Sequence, residues 1–574
     1  MKNFELAKIF SKIADALEIK GENQFKVLAY RKVARILKDF PEDIEEIYRS
    51  GNLNDVPGIG EGIAKKIKEY IETGKMKKYE EAMANIPEGL VELLNIQNLG
   101  PKTIKLAYEK LGVKNISDLE KVIKDGSLSK LPNMGEKKIE NIKKGIELYK
   151  SENVEGEKRY PIGLVEPIVE EIVNRIGSLN YVVRVLPAGS YRRMKETVGD
   201  LDFLVISKEG KKVIDFFTGS SFVERILASG DTKGSIIEKN LRIQIDMRVL
   251  SEESFGSALQ YFTGSKAHNI KIRSIAKEKG LKVSEYGVYK GEKKIAGEDE
   301  KTVYKSIGME WIPPEMREDR GEVELALKGI LPQIISYKDI KGDLHIHSKY
   351  SDGANSIDEI AKKAIEMGYD YIGIADHSQT AKYAHGLEIE RLLKRNEEID
   401  ELNKKYRGKL VILKGTEVDI LQDGSLDYPD EILKKLDFVI AAIHQGFKKN
   451  VTERMLSALD NPSVDIIAHP TGRLISGREG YEVNLEKVME FAKNKNVALE
   501  INAYYDRLDL NETNASLANS MGIPLIINTD AHNLGMMRFM RLGIGIARRA
   551  WISPESIINT YDLVNLKRRL RSNG

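Results

Sequence analysis

The sequence predicts a multidomain chain of α+β and α/β character. It begins all-helical, passes through a mixed middle and ends in a β/α barrel. Three observations lead there. Residues 1–150 carry apolar positions at helical spacing with almost no β-branched runs. From Lys158 short alternating runs enter, with residues 241–249 the clearest. From Lys341 seven short apolar runs alternate with amphipathic stretches, and seven of the eight histidines lie between His345 and His532.

At 574 residues the chain can build several cores. It has no cysteine, which excludes disulfides and thiolate metal sites. No apolar run approaches the ~20 residues of a membrane span. Residues 1–8 are amphipathic and lack a signal-peptide core, so the expected location is cytoplasmic. A net charge of +2 does not by itself argue for nucleic acid.

In the helical third one pattern recurs. Val56-Pro57-Gly58-Ile59-Gly60, Leu99-Gly100-Pro101-Lys102 and Leu131-Pro132-Asn133-Met134-Gly135 each precede a Lys-rich amphipathic helix, expected over 63–71, 103–110 and 137–149. A glycine hairpin that exposes N–H groups at a helix start can hold a DNA phosphate. An ordinary turn explains one copy but not three. A nucleotide-binding glycine loop at 58–62 would need a preceding strand, and residues 50–55 are not one. The pattern resembles the helix-hairpin-helix motif, which binds the DNA backbone without reading sequence. That resemblance implies DNA contacts at Gly58, Gly60, Gly100, Lys102 and Gly135, with a monovalent cation at the hairpins.

The first 80 residues also resemble the small N-terminal domain of DNA polymerase beta and its relatives, through Lys26-Val27-Leu28-Ala29-Tyr30-Arg31-Lys32 and Ala64-Lys65-Lys66-Ile67. The resemblance implies a DNA-end domain in which Lys26 and Tyr30 grip a 5′-phosphate. Lys66 falls where some members use a Schiff-base lysine to remove an abasic sugar, chemistry that needs a depressed amine pKa. The alternative is a solvated phosphate-binding lysine. Lys65 is a competing candidate, and Gly62 stands where the family has another lysine.

In the middle, Gly189-Ser190-Tyr191-Arg192-Arg193 reads as a tight turn opening a short basic helix. Gly199-Asp200-Leu201-Asp202 then leads into the apolar run 203–206. Residues i and i+2 of a strand share a face, so Asp200 and Asp202 converge, a geometry that suits Mg²⁺. Ser190, the free N–H groups and Arg193 form an anion cradle. The alternating strand expected over 241–249 puts Asp246 beside Gln244 and Arg248. Paired next to the Asp200 strand, it completes a two-metal site.

Together with Tyr261-Phe262-Thr263-Gly264-Ser265, these residues resemble the family X nucleotidyltransferases. The resemblance implies a palm with a thumb, two Mg²⁺ or Mn²⁺ ions on Asp200, Asp202 and Asp246, and a triphosphate on Arg159, Gly189, Ser190 and Arg193. Tyr261, Phe262 and Gly264 then lie against the sugar, and Asn269 and Arg273 match positions at the base and the template minor groove. Lys266 departs from the family, which has an acid there in polymerase beta.

The barrel runs end in ligand-type residues. His345 and His347 share one side of the first strand, with Asp352 beyond, and later runs end at His377, Glu417, His444, His469, and Asp530 with His532. The run 497–501 ends at Asn502 with no strong ligand. Nine nitrogen and oxygen ligands without thiolate exceed one metal's needs and point to two or three Zn²⁺, Mn²⁺ or Fe²⁺ ions. Such a cluster hydrolyses phosphate esters. The domain resembles the PHP (polymerase and histidinol phosphatase) family, which implies a distorted (β/α)7 barrel in which Glu417 bridges two metals and Asp352, His377 and His532 hold the third. His385 and His268 fall outside the pattern.

The expected domains are 1–80 (DNA end), 81–153 (two further hairpins), 154–250 (palm), 251–312 (thumb), 313–338 (a linker with one short helix) and 339–574 (barrel). This order resembles the prokaryotic family X DNA polymerases. The resemblance implies a monomeric gap-filling repair polymerase acting on gapped or primer-template DNA and deoxynucleoside triphosphates, with no membrane partner. It adds a Mn²⁺-stimulated 3′→5′ exonuclease and cleavage at abasic sites. The alternative is a nuclease that uses an inactive polymerase core as a DNA platform.

Overall fold

The structure is a computed structural model describing residues 2–39, 44–49, 53, 59–84, 86–96, 99–132, 134–135, 138–143, 145–146, 158–477 and 479–570. It divides into two compact units, residues 1–158 and 159–574.

The first unit is helical throughout its described residues, from Lys2–Lys20 and Gln24–Asp39 to Pro101–Leu111 and Ile116–Lys124. Its helices turn one apolar stripe inward, burying Leu6, Phe10, Ile13, Ile67, Ile104 and Leu119 in one core. Glycines in the left-handed region stop two of them, Gly74 at φ 69° and Gly112 at φ 67°. Asn115 starts the next by accepting from the Asp118 N–H at 2.9 Å. The hairpin helices run Glu61–Thr73 and Pro101–Leu111, slightly longer than expected. Of the third hairpin helix, residues 138–143 and 145–146 are helical, whereas 137, 144 and 147–149 lie outside the described residues, as do Gly58 and Asn133.

The second unit opens with a five-stranded sheet in the order Val182–Pro187, Asp200–Ser207, Gln244–Leu250, Lys233–Glu238, Val223–Ser229. Its central pair is parallel and the others are antiparallel. Along Asp200–Ser207 the odd positions Leu201, Phe203 and Val205 join the core under helices Ile162–Gly177 and Gly210–Thr218. Leu204 and Ile206 pack against helix Phe255–Thr263 on the other face. Strand alternation therefore points Asp200 and Asp202 to the side of that helix.

Two expectations give way here. The strand expected from 241 begins at Gln244. Residues 239–243 form the turn before it, because the Glu238 carboxylate accepts the Asn240 and Leu241 N–H groups and Arg242 sits at φ 60°. The stretch 313–338, expected to be a linker with one short helix, does carry that helix, Glu322–Lys328, but it is packed rather than a tether, with Met316, Arg317, Glu322 and Val323 fully buried. Glu322 Oε1 lies 2.8 Å from Nδ1 of buried His268, whose Nε2 meets the Tyr304 hydroxyl at 2.8 Å. That gives His268 a packing role in the thumb core.

The chain then builds seven parallel strand positions: Gly342–Ile346, Tyr371–Ile374, Val411–Lys414 continuing as Glu417–Asp419, Ile440–Ala442, Ile466–Ile467, Ala498–Asn502 and Leu525–Asn528. The Ile346–Ala531 bridge closes the ring. The third strand breaks at Gly415, where a Cβ would meet the Phe438 ring at 2.1 Å. Palm and barrel share one continuous core, which includes Ile162 and Tyr191 on one side and Leu542 and Ile544 on the other.

Candidate active sites

In the palm, parallel pairing sets Asp202 directly across from Asp246, with Asp200 across from Gln244. Gln244 Nε2 donates to Asp246 at 3.0 Å. Burial, and then the neighbouring acids Asp200 and Asp246, push the Asp202 carboxyl up to about 7. Burial and Asp246 likewise raise Asp200. Gly189 is required beside them: its φ is 59°, and a Cβ would lie 2.7 Å from Asp202 Oδ2. Next in the turn, the Ser190 hydroxyl is buried with no hydrogen-bond partner. Three converging carboxylates and an unspent hydroxyl at a short helix fit a divalent ion shared with phosphate oxygens.

The other expected nucleotide residues have the following partners. Arg159 donates to Thr197 Oγ1 at 3.0 Å and to its carbonyl at 2.7 Å. Tyr261 and Phe262 meet edge to face at 5.1 Å. Asn269 donates to the Tyr261 carbonyl at 2.6 Å, and Lys266 and Arg273 are exposed on the same helix. Arg193 is less free than expected. It donates to Glu318 at 3.0 Å and to the Thr263 carbonyl at 2.6 Å. Arg549, from the barrel, donates to the Arg193 carbonyl at 2.7 Å, to Glu318 at 3.1 Å, and to Glu512. Arg248 stacks over Phe262 at 4.4 Å.

In the barrel, Glu417 is central. Its Oε1 lies 3.1 Å from His469 Nε2, 3.3 Å from His444 Nε2 and 3.5 Å from His345 Nε2, and its Oε2 lies 2.8 Å from His377 Nδ1. His347 Nε2 is 3.2 Å from Asp530, and Asp352 is 3.4 Å from His532 Nε2. Ligand atoms of His347, Asp352, His377 and His532 fall within 4.8 Å of one another. So do those of His345, His347 and Glu417, and those of His377, Glu417 and His444.

Burial opposes charge on His345, yet Glu500, Asp530 and Glu417 hold its pKa well above the ordinary value. Burial, then the His532 and His377 charges, push His347 down to about 4. His347 Nδ1 and His469 Nδ1 are buried without hydrogen-bond partners. Orphaned imidazole nitrogens packed this closely around carboxylates fit divalent metal ions.

Two residues here escaped the sequence reading. Glu500, mid-strand and fully buried, lies 2.8 Å from His345 Nδ1 and accepts the His469 N–H at 2.8 Å. Asp419 lies 2.5 Å from His444 Nδ1. Both orient imidazoles from behind. An acid inside the apolar run 497–501 was the available signal for the first. His385 caps a turn at φ 53°, apart from the cluster's three ligand groups.

In the first unit, Lys26, Tyr30, Gly60 and Lys66 line a cavity of ≈ 540 Å³ together with Lys78. Lys66 Nζ donates to the Gly62 carbonyl at 2.7 Å, and burial with the Lys78 charge lowers its pKa. Lys65 is bound to Glu61 at 2.7 Å instead. Gly60, Gly100 and Gly135 have no positive φ, and among the described residues a Cβ on any of them would meet nothing within 4 Å. Lys102 is exposed beside Gly100.

Comparison with known proteins finds the same kinds of domain along the chain. Family profiles match a helix-hairpin-helix domain at 1–76, a SAM-like helix-hairpin-helix tandem at 90–147, the DNA polymerase beta palm at 159–265, the DNA polymerase beta thumb at 258–318 and the PHP domain at 343–504. DNA polymerase/3′-5′ exonuclease PolX of Bacillus subtilis (strain 168) is 40% identical over 582 residues, covering 100% of each chain. DNA polymerase lambda of Arabidopsis thaliana is 25% identical over 352 residues, 55% of this chain and 62% of that protein. A probable phosphatase of Thermoanaerobacter sp. (strain X514) is 33% identical over 245 residues, 40% of this chain and 94% of its own length. The chain therefore belongs to the prokaryotic family X DNA polymerases that carry a C-terminal PHP domain.

Proposed function

We propose that the chain is a DNA-directed DNA polymerase that fills short gaps during repair, with its barrel serving as a metal-dependent 3′→5′ exonuclease. The observation that carries the first activity is the facing pair Asp202 and Asp246 beside the unspent hydroxyl of Ser190. Asp200, Asp202 and Asp246 would hold two Mg²⁺ or Mn²⁺ ions. When bound, these activate the primer 3′-hydroxyl and offset charge on the departing pyrophosphate.

Ser190 and the adjoining N–H groups receive the triphosphate, joined by Arg159 and by Arg193 once it leaves Glu318. The Tyr261–Phe262 pair bounds the sugar side, Asn269 the base, and Arg273 the template. In the barrel the nine ligands from His345 to His532 would hold two or three ions of Zn²⁺, Mn²⁺ or Fe²⁺ type.

The first unit is the DNA-end grip. Gly60, Gly100, Lys102 and Gly135 present backbone and charge to phosphates, with a monovalent cation at the hairpins. Lys26 and Tyr30 take a 5′-phosphate in the cavity that Lys66 lines. The lowered pKa of Lys66 suits it to act there as a lyase nucleophile. Among the described residues no helix is long and apolar enough to cross a membrane. We place the protein in the cytoplasm as a monomer.

The test is a 5′-phosphorylated one-nucleotide gap with Mg²⁺ or Mn²⁺, with and without dNTP. Asp200→Ala should abolish addition and spare trimming, and His345→Ala should do the reverse. Loss of both activities in each folded variant would refute two separate sites. Borohydride trapping on a 5′-deoxyribose-phosphate end should fail in Lys66→Ala, and persistence of the adduct would remove Lys66 from that role.

A further inference from the structure

The barrel site contains a cation that metal binding does not use. Arg507 sits in the loop after strand Ala498–Asn502, with its Nε 3.6 Å from Asp530 Oδ2 and its side chain 18% exposed. Its Nη1 is buried and has no hydrogen-bond partner. The loop is pinned: the Arg507 N–H donates to the Tyr504 carbonyl at 2.8 Å. Arg473 donates to the Arg507 carbonyl at 2.9 Å and to the Leu508 carbonyl at 2.6 Å. The backbone that carries Arg507 is thus fixed, while part of its guanidinium fork is unspent. A buried N–H is left open in this way where a group from outside completes it.

A guanidinium beside a cluster built for divalent cations is tolerated when an anion lies between them. Its planar fork matches two oxygens of a phosphodiester. At the same site stands Tyr383, 66% exposed, its ring 6.3 Å from that of His377. A large aromatic left bare beside a phosphate subsite offers a face on which a base can stack.

We propose that Arg507 binds the non-bridging oxygens of the 3′-terminal phosphodiester and that Tyr383 carries the terminal base. The barrel would then take nucleic-acid strand ends in preference to small phosphomonoesters. This rests on the exonuclease reading above. In the reaction, water adds to phosphorus and the bond from phosphorus to the 3′-oxygen of the penultimate nucleotide breaks. That oxygen takes up a proton, and the freed nucleotide keeps a 5′-phosphate. Arg507 offsets the charge that gathers on the phosphoryl oxygens as this happens.

The experiment uses the full chain with Mn²⁺ and two probes, a 5′-labelled oligonucleotide ending in a 3′-hydroxyl and bis(p-nitrophenyl) phosphate. Arg507→Gln should lower kcat on both by about a hundredfold. Arg507→Lys should recover only part, since the ammonium lacks the fork. Tyr383→Leu should raise the half-saturating oligonucleotide concentration about tenfold with little change in kcat. Bound metal, measured by mass spectrometry, and melting temperature should match the parent in all three.

Parent-like rates in Arg507→Gln, or a loss proportional to lost metal, would overturn the role of Arg507. A Tyr383→Leu variant with unchanged half-saturation would overturn the base platform. A parent that cleaves the small diester but leaves the oligonucleotide intact would overturn the exonuclease reading, while the diester still reports on Arg507.

Discussion

The palm and the barrel both gather carboxylates for divalent ions, yet they balance charge in opposite ways. In the palm three aspartates face one another with no histidine among them, and Asp202 is pushed up to about 7 by burial and the neighbouring acids. In the barrel each ligand carboxylate touches an imidazole, and further acids such as Glu500 brace the rings from behind. We propose that the palm is completed only when ions and a triphosphate arrive together, whereas the barrel's pre-assembled ligands suit resident ions. One chain would then keep a transient metal site and a standing one.

The largest expected effect separates the two. Asp202→Asn should lower gap-filling turnover by about a thousandfold. The metal retained after dialysis against metal-free buffer should not change. A fall in retained metal would mean that the palm also holds resident ions, and the contrast would collapse.

Arg549→Met comes next, because it takes from buried Glu318 and Glu512 the nearer of the two cations they share. It leaves them only Lys195 in common, at 4.0 and 3.6 Å. Removing one member of a buried ionic set costs about 3 kcal/mol or more, to be read from denaturant melts. The KM for dNTP should rise with it, since Arg549 also holds the Arg193 carbonyl. An unchanged KM would show that the barrel does not steady the nucleotide turn.

Glu500→Gln should weaken barrel metal affinity about 10- to 100-fold, seen by chelator competition, and slow trimming in step. Gap filling should be untouched. The smallest effect is pH-dependent. Burial works against the Glu318 charge, but Arg549, Arg193 and Lys195 hold its pKa down at about 2. Its contribution to stability is therefore present above the ordinary value of 4.5 and lost as pH falls toward 2. Glu318→Gln should flatten the melting-temperature profile in that window by about 1–2 kcal/mol, and an unaltered slope would discount the charge network.

Much of both sites was legible because their chemistry imposes short spacings. Asp200 and Asp202 must be two apart to share a strand face, and His345 and His347 obey the same rule. What escaped was set by tertiary packing. Glu500 lies inside an apolar run, away from the strand end where the ligands sit, and only closure of the barrel brings it behind His345. Prolines at 313, 314 and 332 suggested a tether, yet the thumb closes around Met316 and Val323. The strand start slipped from 241 to 244 because a single carboxylate, Glu238, organises the preceding turn. Arg549 gave no local sign at all. Its partners lie more than 30 residues away, and only folding brings them to it.

The seam between palm and barrel bears on how such a chain can change. At Gly163 a Cβ would lie 2.3 Å from Tyr505 Cβ, and at Gly545 another would lie 2.6 Å from Met194 Cε. Across the same seam Glu196 receives Arg473, the residue that also fixes the Arg507 carbonyl. The turn that follows the nucleotide cradle is therefore also a wall of the hydrolytic half. The two halves cannot be exchanged as cassettes with those of a distant relative. A foreign barrel would arrive with the wrong relief at two glycines and the wrong charge at one turn, so sequence drift on either side has to be matched across the join.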